Sequence, residues 1–112
     1  MENTNILVVD DERKIRDLVR LYLEKEGFNV GEADDGQKAL NIYQQGQYEL
    51  IVLDLMMPGM DGWEVCKEVR RKSNVPIIML TALKQLYYDL AEAHEEMEIN
   101  TMKPQNKKEM KI

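Results

Sequence analysis

Cysteine occurs once in the 112 residues, as Cys66, so neither an internal disulfide nor a multi-cysteine zinc site can form, and a reducing compartment is expected. Histidine also occurs once, as His94, which excludes a histidine-rich metal centre. Basic residues are the minority: 15 Lys and Arg stand against 21 Asp and Glu, giving a net charge of −6 and a pI near 4.8. A nucleic-acid clamp or an anionic-membrane binder needs a basic face, so neither nucleic acid nor membrane is an expected partner. Long apolar runs are missing as well. Met1 to Asn5 is polar and only Ile6 to Val9 follow. A signal peptide needs an apolar stretch of roughly 7–15 residues and a membrane span about 20. The expected location is therefore the cytoplasm. Glycine is absent after Gly62, which leaves nearly half of the chain without its usual helix terminator.

What is present is the profile of one folded domain: 44% hydrophobic and 32% charged residues. Two textures alternate. Ile6-Leu7-Val8-Val9, Leu50-Ile51-Val52-Leu53 and Pro76-Ile77-Ile78-Met79-Leu80 are short, continuous apolar runs, the pattern of strands buried on both faces of a parallel sheet. Asn29 to Ala33 is a further strand candidate. Between them, Ile15, Leu18, Val19, Tyr22 and Leu23 form one stripe of an amphipathic helix, with Gly27 placed to end it. Asp34-Asp35-Gly36 reads as a turn or cap. Ala39, Leu40 and Tyr43 mark a second helix ending near Gly46, and Asp61 to Lys72 a third, with Val65, Cys66 and Val69 inward and Trp63 also packing. Leu83, Leu86, Tyr87, Leu90, Ala93, His94 and Met97 extend the helical period to a fourth, and Glu98 to Met102 is a weak fifth-strand candidate. The order predicts an α/β, doubly wound parallel sheet with right-handed crossovers.

In such a sheet, ligands bind beyond the carboxyl ends of the strands. That rule selects Asp10, Asp11 and Glu12 after the first strand, Asp54 after the third, Thr81 after the fourth and Lys103 after the fifth candidate. Carboxylates gathered at one edge repel unless a cation joins them, and an all-oxygen set suits Mg²⁺. Thr81 and Lys103 could then share the oxygens of a phosphoryl group, with Asp54 as nucleophile. Blander readings stand beside these. Asp10-Asp11-Glu12 could simply cap the first helix. Lys103 could be a solvated lysine, Thr81 an ordinary strand-end residue, and Cys66 and His94 packing residues. Asp54 is harder to dismiss, because a carboxylate closing an apolar buried strand is costly without a partner.

Three segments, Ile6-Leu7-Val8-Val9-Asp10-Asp11-Glu12, Leu53-Asp54-Leu55-Met56-Met57-Pro58-Gly59-Met60-Asp61-Gly62 and Pro76-Ile77-Ile78-Met79-Leu80-Thr81-Ala82, closely resemble the receiver domain of two-component response regulators, most of all those of the winged-helix transcription-factor class. The resemblance is dense over residues 5–82. It implies a flavodoxin-like (βα)5 fold with a five-stranded parallel sheet over residues 1–112. It also implies that Asp54 accepts a phosphoryl group from a sensor histidine kinase. By the same likeness, Asp10, Asp11, Asp54 and the Met56 backbone carbonyl would hold Mg²⁺, Thr81 would be the switch hydroxyl and Lys103 its partner cation. Pro58 and Gly62 would shape the loop after Asp54. A domain of this kind catalyses its own phosphorylation and dephosphorylation but is not a turnover enzyme. No effector domain is visible, so transcription regulation would belong to a longer parent protein.

Beyond Ala82 the sequence departs from that pattern. Thr81 and Lys103 keep a separation of 22 positions and Lys103-Pro104 is present. The expected Gly-Ala-Asp-like turn, however, is Glu95-Glu96-Met97-Glu98-Ile99, and Asn100 stands where an aromatic is usual. The last helix, Gln105 to Ile112, would be short or absent. Residues 83–112 include the face on which that class forms a homodimer, so dimerisation would fall on the divergent part. Two alternatives follow: a non-switching interaction or scaffold domain that retains the acidic metal site, and an acid-cluster phosphohydrolase. The second lacks a residue evidently placed to activate water.

Overall fold

The computed structural model describes residues 4–101, and the side chains of residues 4–95. The strand candidates pair into one parallel sheet. β1 (Asn5–Val9), β2 (Asn29–Ala33), β3 (Leu50–Leu53) and β4 (Ile77–Met79) lie in the order β2-β1-β3-β4. Val9 is the register partner of both Ala33 and Leu53, and Leu53 of Met79, so the four carboxyl ends share one edge. Helices α1 (Arg13–Lys25), α2 (Gly36–Gln45) and α3 (Gly62–Arg70) make the crossovers, and α4 (Thr81–Thr101) follows β4. The chain starts in the middle of the sheet, runs out to β2, and returns across β1 to β3. The winding therefore reverses between β1 and β3, where doubly wound sheets carry their sites. The flavodoxin-like α/β expectation is met.

Strand alternation sends Leu7, Val9, Ile51 and Leu53 to one face, where they cluster with Ala39 and Leu40 of α2 and Val65 and Val69 of α3. Ile6, Val8 and Val52 point the other way and are buried together with Ile15 of α1. Cys66 packs partly buried against the first cluster, as a small hydrophobe should. Two packing expectations need correction. Of the α1 stripe only Ile15 is fully buried, while Leu18 and Tyr22 are exposed. Within the Met1–Thr81 unit α1 packs on β1 and β2, and Ile78, in the row Val8–Val52–Ile78, stays half exposed. Trp63 is likewise exposed, because the first turn of α3 turns outward at that position.

Local chemistry sets the helix ends. Gly27 takes φ +94° just after α1, a conformation that costs glycine nothing. Asp35 caps α2 by accepting from the Lys38 N–H at 2.8 Å. Asp61 and Glu64 form a reciprocal capping box at the start of α3. The chain divides after Thr81 into two compact units, the second beginning at Ala82. The fifth strand expected at Glu98–Met102 is not formed: residues 98–101 continue α4, and Met102 lies outside the described residues. The sheet has four strands among the described residues, not five. Ala91, Glu92, Ala93, Glu95, Glu96 and Met97 are strong helix formers, and no Gly or Pro interrupts Ala82 to Thr101. The last helix, expected at Gln105 to Ile112, lies outside the described residues.

This burial pattern predicts a sharp contrast between two leucines. Leu7→Ala, which empties a fully buried site, should cost about 3 kcal/mol in urea denaturation, and Leu21→Ala on exposed α1 surface less than about 0.5 kcal/mol. Equal costs would show that the core has been misplaced.

Candidate functional site

Register brings the acids together. Asp10 follows Val9 and Asp54 follows Leu53, on adjacent strands about 4.8 Å apart. The Asp54 N–H donates to the Val9 carbonyl at 3.0 Å, and the Asp10 N–H to the Ala33 carbonyl at 3.2 Å, so both backbones remain locked to the sheet. Asp10 is 0% and Asp54 1% exposed, and among the described residues they are the two charged residues buried in an otherwise apolar interior. The Thr81 hydroxyl donates to Asp54 Oδ1 at 3.1 Å and accepts from the Leu55 N–H at 3.3 Å. Thr81 thus couples the Asp54 carboxylate to the backbone of the loop beside it.

Asp10, Asp11 and Glu12 each offer a carboxylate oxygen, all within 4.8 Å of one another, with Asp10 buried, Glu12 half-buried and Asp11 exposed. Helix capping does not account for them. Glu12 is the N-cap of α1 and makes no side-chain cap bond, and Asp10 Oδ1 accepts from the Glu12 N–H at 2.8 Å, ahead of the helix. Three carboxylates and no nitrogen or sulfur donor form a set that fits a hard, six-coordinate cation such as Mg²⁺. Of the expected metal ligands, Asp10 and Asp11 belong to this group; Asp54 sits beside it by register, and Glu12 is an added donor. Met56 lies in the loop after Asp54 with its side chain pointing to solvent. Lys103 and Pro104 lie outside the described residues.

The loop from Leu55 to Asp61 is pinned at both ends. Met57 is buried in the core, and the Gly62 N–H donates to the Leu55 carbonyl at 3.0 Å. A Cβ on Gly62 would stand 2.3 Å from the Asp54 carbonyl oxygen and 2.8 Å from Leu55 Cα, so only glycine lets α3 start this close to Asp54. Exposed Met56 and Trp63 line a groove along the same loop. Farther along the edge, the Lys38 ammonium hydrogen-bonds Asp34 and holds that carboxyl below the usual carboxylate range, while Asp34 raises Lys38 in return. The sequence reading missed the contacts of Arg16 with Glu32 and with the Asp10 carbonyl, since no motif spacing signals a link between α1 and β2.

Fold and site together define a flavodoxin-like signalling domain with an acidic pocket at its switch point. The chain belongs to the response regulator receiver domain family, whose pattern it matches over residues 6–112. It is 56% identical over 79 residues to the transcriptional regulatory protein ResD of Bacillus subtilis, and 49% identical over 86 residues to a probable transcriptional regulator, ycf27, of Porphyridium aerugineum. Those alignments cover 70% and 77% of this chain but 33% and 36% of the relatives, so the chain spans about a third of the curated relatives it matches. Among solved structures it is similar to the response regulator TrrA of Thermotoga maritima, determined in complex with Mg²⁺ and BeF, at 43% identity and a TM-score of 0.65, over 68% of this chain and 67% of that one. A second TrrA structure, in complex with the histidine kinase ThkA, superposes with a TM-score of 0.65 at 43% identity over 68% of this chain and 66% of that one. Chemotaxis protein CheY4 of Vibrio cholerae gives a TM-score of 0.66 at 38% identity, over 69% and 67% of the two chains.

The close approach at Gly62 yields a prediction. Gly62→Ala must displace the Asp54–Leu55 backbone, and a misplacement of this order lowers the rate of a positioned reaction up to about 100-fold. Single-turnover phosphorylation of the variant should show that loss, and a wild-type rate would mean the loop geometry is not critical.

Proposed function

We propose that Asp54 accepts a phosphoryl group from the phosphohistidine of a sensor histidine kinase, and that the domain acts as a Mg²⁺-dependent conformational switch. The observation that carries this reading is the buried Asp54 carboxylate, bonded to the Thr81 hydroxyl and set next to Asp10. One Asp54 oxygen attacks phosphorus, the N–P bond breaks, and the imidazole leaves with the electron pair and takes up a proton. Asp10 and Asp11, with Asp54 and the Met56 carbonyl, are the residues that would hold Mg²⁺, and Glu12 is available as a further donor. Bound there, the ion would neutralise charge on the transferring phosphoryl oxygens. Thr81 already donates to Asp54, and turning that hydroxyl toward a phosphoryl oxygen would release the Leu55 N–H and move the start of α4. Lys103 is assigned the complementary cation on the strength of the family pattern alone.

The domain modifies itself and does not turn over a substrate, and its expected setting is the cytoplasm. Among the described residues no helix is long and apolar enough to cross a membrane. The longer relatives support a role in transcription regulation exercised through another domain, with no nucleic acid bound here and any homodimer formed outside the Met1–Thr81 unit. A second reading, a non-switching interaction domain that retains the acidic site, is favoured by one observation: α4 runs through residues 98–101, where a fifth strand would complete the relay.

Incubation with a small phosphodonor and Mg²⁺ should add the mass of one phosphoryl group to the wild type and none to Asp54→Asn. Equal gain in both, or none in the wild type, overturns the assignment. Amide shifts that spread on phosphorylation from Asp54 into residues 83–101 support a switch; shifts confined to the neighbours of Asp54 support the scaffold reading.

A further inference from the structure

Half-buried charge outside the acidic pocket gathers where α1 meets β2. Arg16 and Glu32 have side-chain exposures of 14% and 22%, and Arg16 Nε donates to Glu32 Oε1 at 3.1 Å. Arg20 forms an ion pair with the other Glu32 oxygen. The same Arg16 guanidinium reaches back along the helix, and its Nη1 donates to the Asp10 carbonyl at 2.8 Å. The Arg16 backbone N–H makes the first helical bond of α1, donating to the Glu12 carbonyl at 3.1 Å. The Arg16 side chain therefore holds the Asp10 end of the Asp10-Asp11-Glu12 turn, while the helix backbone holds the Glu12 end. On its other side the Asp10 N–H is held by Ala33, the residue after Glu32.

We infer that Arg16 is a positioning residue for the acidic site: anchored on β2 by Glu32, it fixes the Asp10 main chain so that the Asp10 and Asp11 carboxylates converge on one cation. This rests on the reading of the pocket as a Mg²⁺-dependent phosphoryl acceptor. The cluster is not an anion site in its own right. A cavity of about 430 Å³ opens beside it, but the cations around it are ion-paired: Arg13 and Arg20 with Asp17, Arg16 and Arg20 with Glu32, and Lys38 with Asp34. Each of these cations has a carboxylate partner, which suits a brace and not a receptor for phosphate. Arginine is required because one planar fork must serve two acceptors in different directions, which a lysine ammonium does less well.

The sign of the effect separates positioning from simple electrostatics. A guanidinium hydrogen-bonded to Asp10 repels a cation held by the same residue, so deleting its charge alone would tighten Mg²⁺ binding. Deleting a positioning group weakens binding, by about tenfold or more for residues that orient metal ligands.

The test is titration of the chain with Mg²⁺ alone, followed by calorimetry and by Trp63 emission, for wild type, Arg16→Met, Arg16→Lys and Glu32→Gln. Thermal melts in metal-free buffer establish which variants are folded. Arg16→Met should raise the Mg²⁺ dissociation constant about tenfold, Arg16→Lys should restore part of the loss, and Glu32→Gln should weaken binding in the same direction. Phosphorylation by a small donor should slow at low Mg²⁺ and recover toward wild type at saturation, a change in the metal requirement and not in the limiting rate. Unchanged or tighter Mg²⁺ binding in folded Arg16→Met overturns the inference. If that variant does not fold, wild-type affinity in both Arg16→Lys and Glu32→Gln overturns it equally. A wild type that takes up neither Mg²⁺ nor a phosphoryl group overturns the underlying site reading, and the inference with it.

Discussion

Two carboxylates buried side by side at the end of an apolar sheet are the constraint on which the rest of this structure depends. Asp10 and Asp54 follow register-partnered residues of adjacent strands and are essentially inaccessible to water. Removing a carboxylate from water costs several kcal/mol in the absence of compensation, and placing a second beside it adds repulsion. Hydrogen bonds from Thr81 and from the Glu12 N–H offset part of that cost. An all-oxygen pocket of this kind suits a divalent cation, and with it a phosphoryl group that brings its own charge into the same space.

The surrounding elements keep that arrangement from relaxing. β1 and β3 cannot slide, because Leu7, Val9, Ile51 and Leu53 are locked into one cluster with α2 and α3. α3 begins against the Asp54 carbonyl through Gly62 and is held by its capping box. On the opposite flank, Arg16 ties the turn before α1 to β2. Pinned from three directions, the acids cannot move apart to reduce their repulsion, and that rigidity is what preorganises a charge-stabilising site.

Most of this was legible in the sequence because the strands are continuous apolar runs and the acids sit one residue beyond them. Asn29–Ala33 and Leu50–Leu53 were bounded to the residue, and the turn at Asp34-Asp35-Gly36 and the end of α1 at Gly27 followed from local chemistry. The edge rule alone selected Asp10, Asp54 and Thr81. What periodicity could not reveal was long-range. The α1 stripe suggests burial of Leu18 and Tyr22, yet periodicity marks only the apolar side of a helix and not how far the sheet covers it. Ile99 and Met102 hint at a strand, but the run of helix formers before Ile99 carries α4 through Thr101. The Arg16–Glu32 contact joins elements whose approach is set by the twist of the sheet, which leaves no trace in spacing.

Two buried carboxylates at one strand edge should make the stability of this fold depend on a divalent cation. The most direct measurement is the thermal stability of wild type and Asp10→Asn, each in metal-free buffer and in saturating Mg²⁺. Asparagine keeps an oxygen to accept the Glu12 N–H but removes one buried charge. Without metal, Asp10→Asn should be the more stable protein. With Mg²⁺ at 100 times its dissociation constant, the wild type should gain about 2.7 kcal/mol and the variant far less. A metal-free variant less stable than the wild type, or a wild type indifferent to Mg²⁺, would contradict the account.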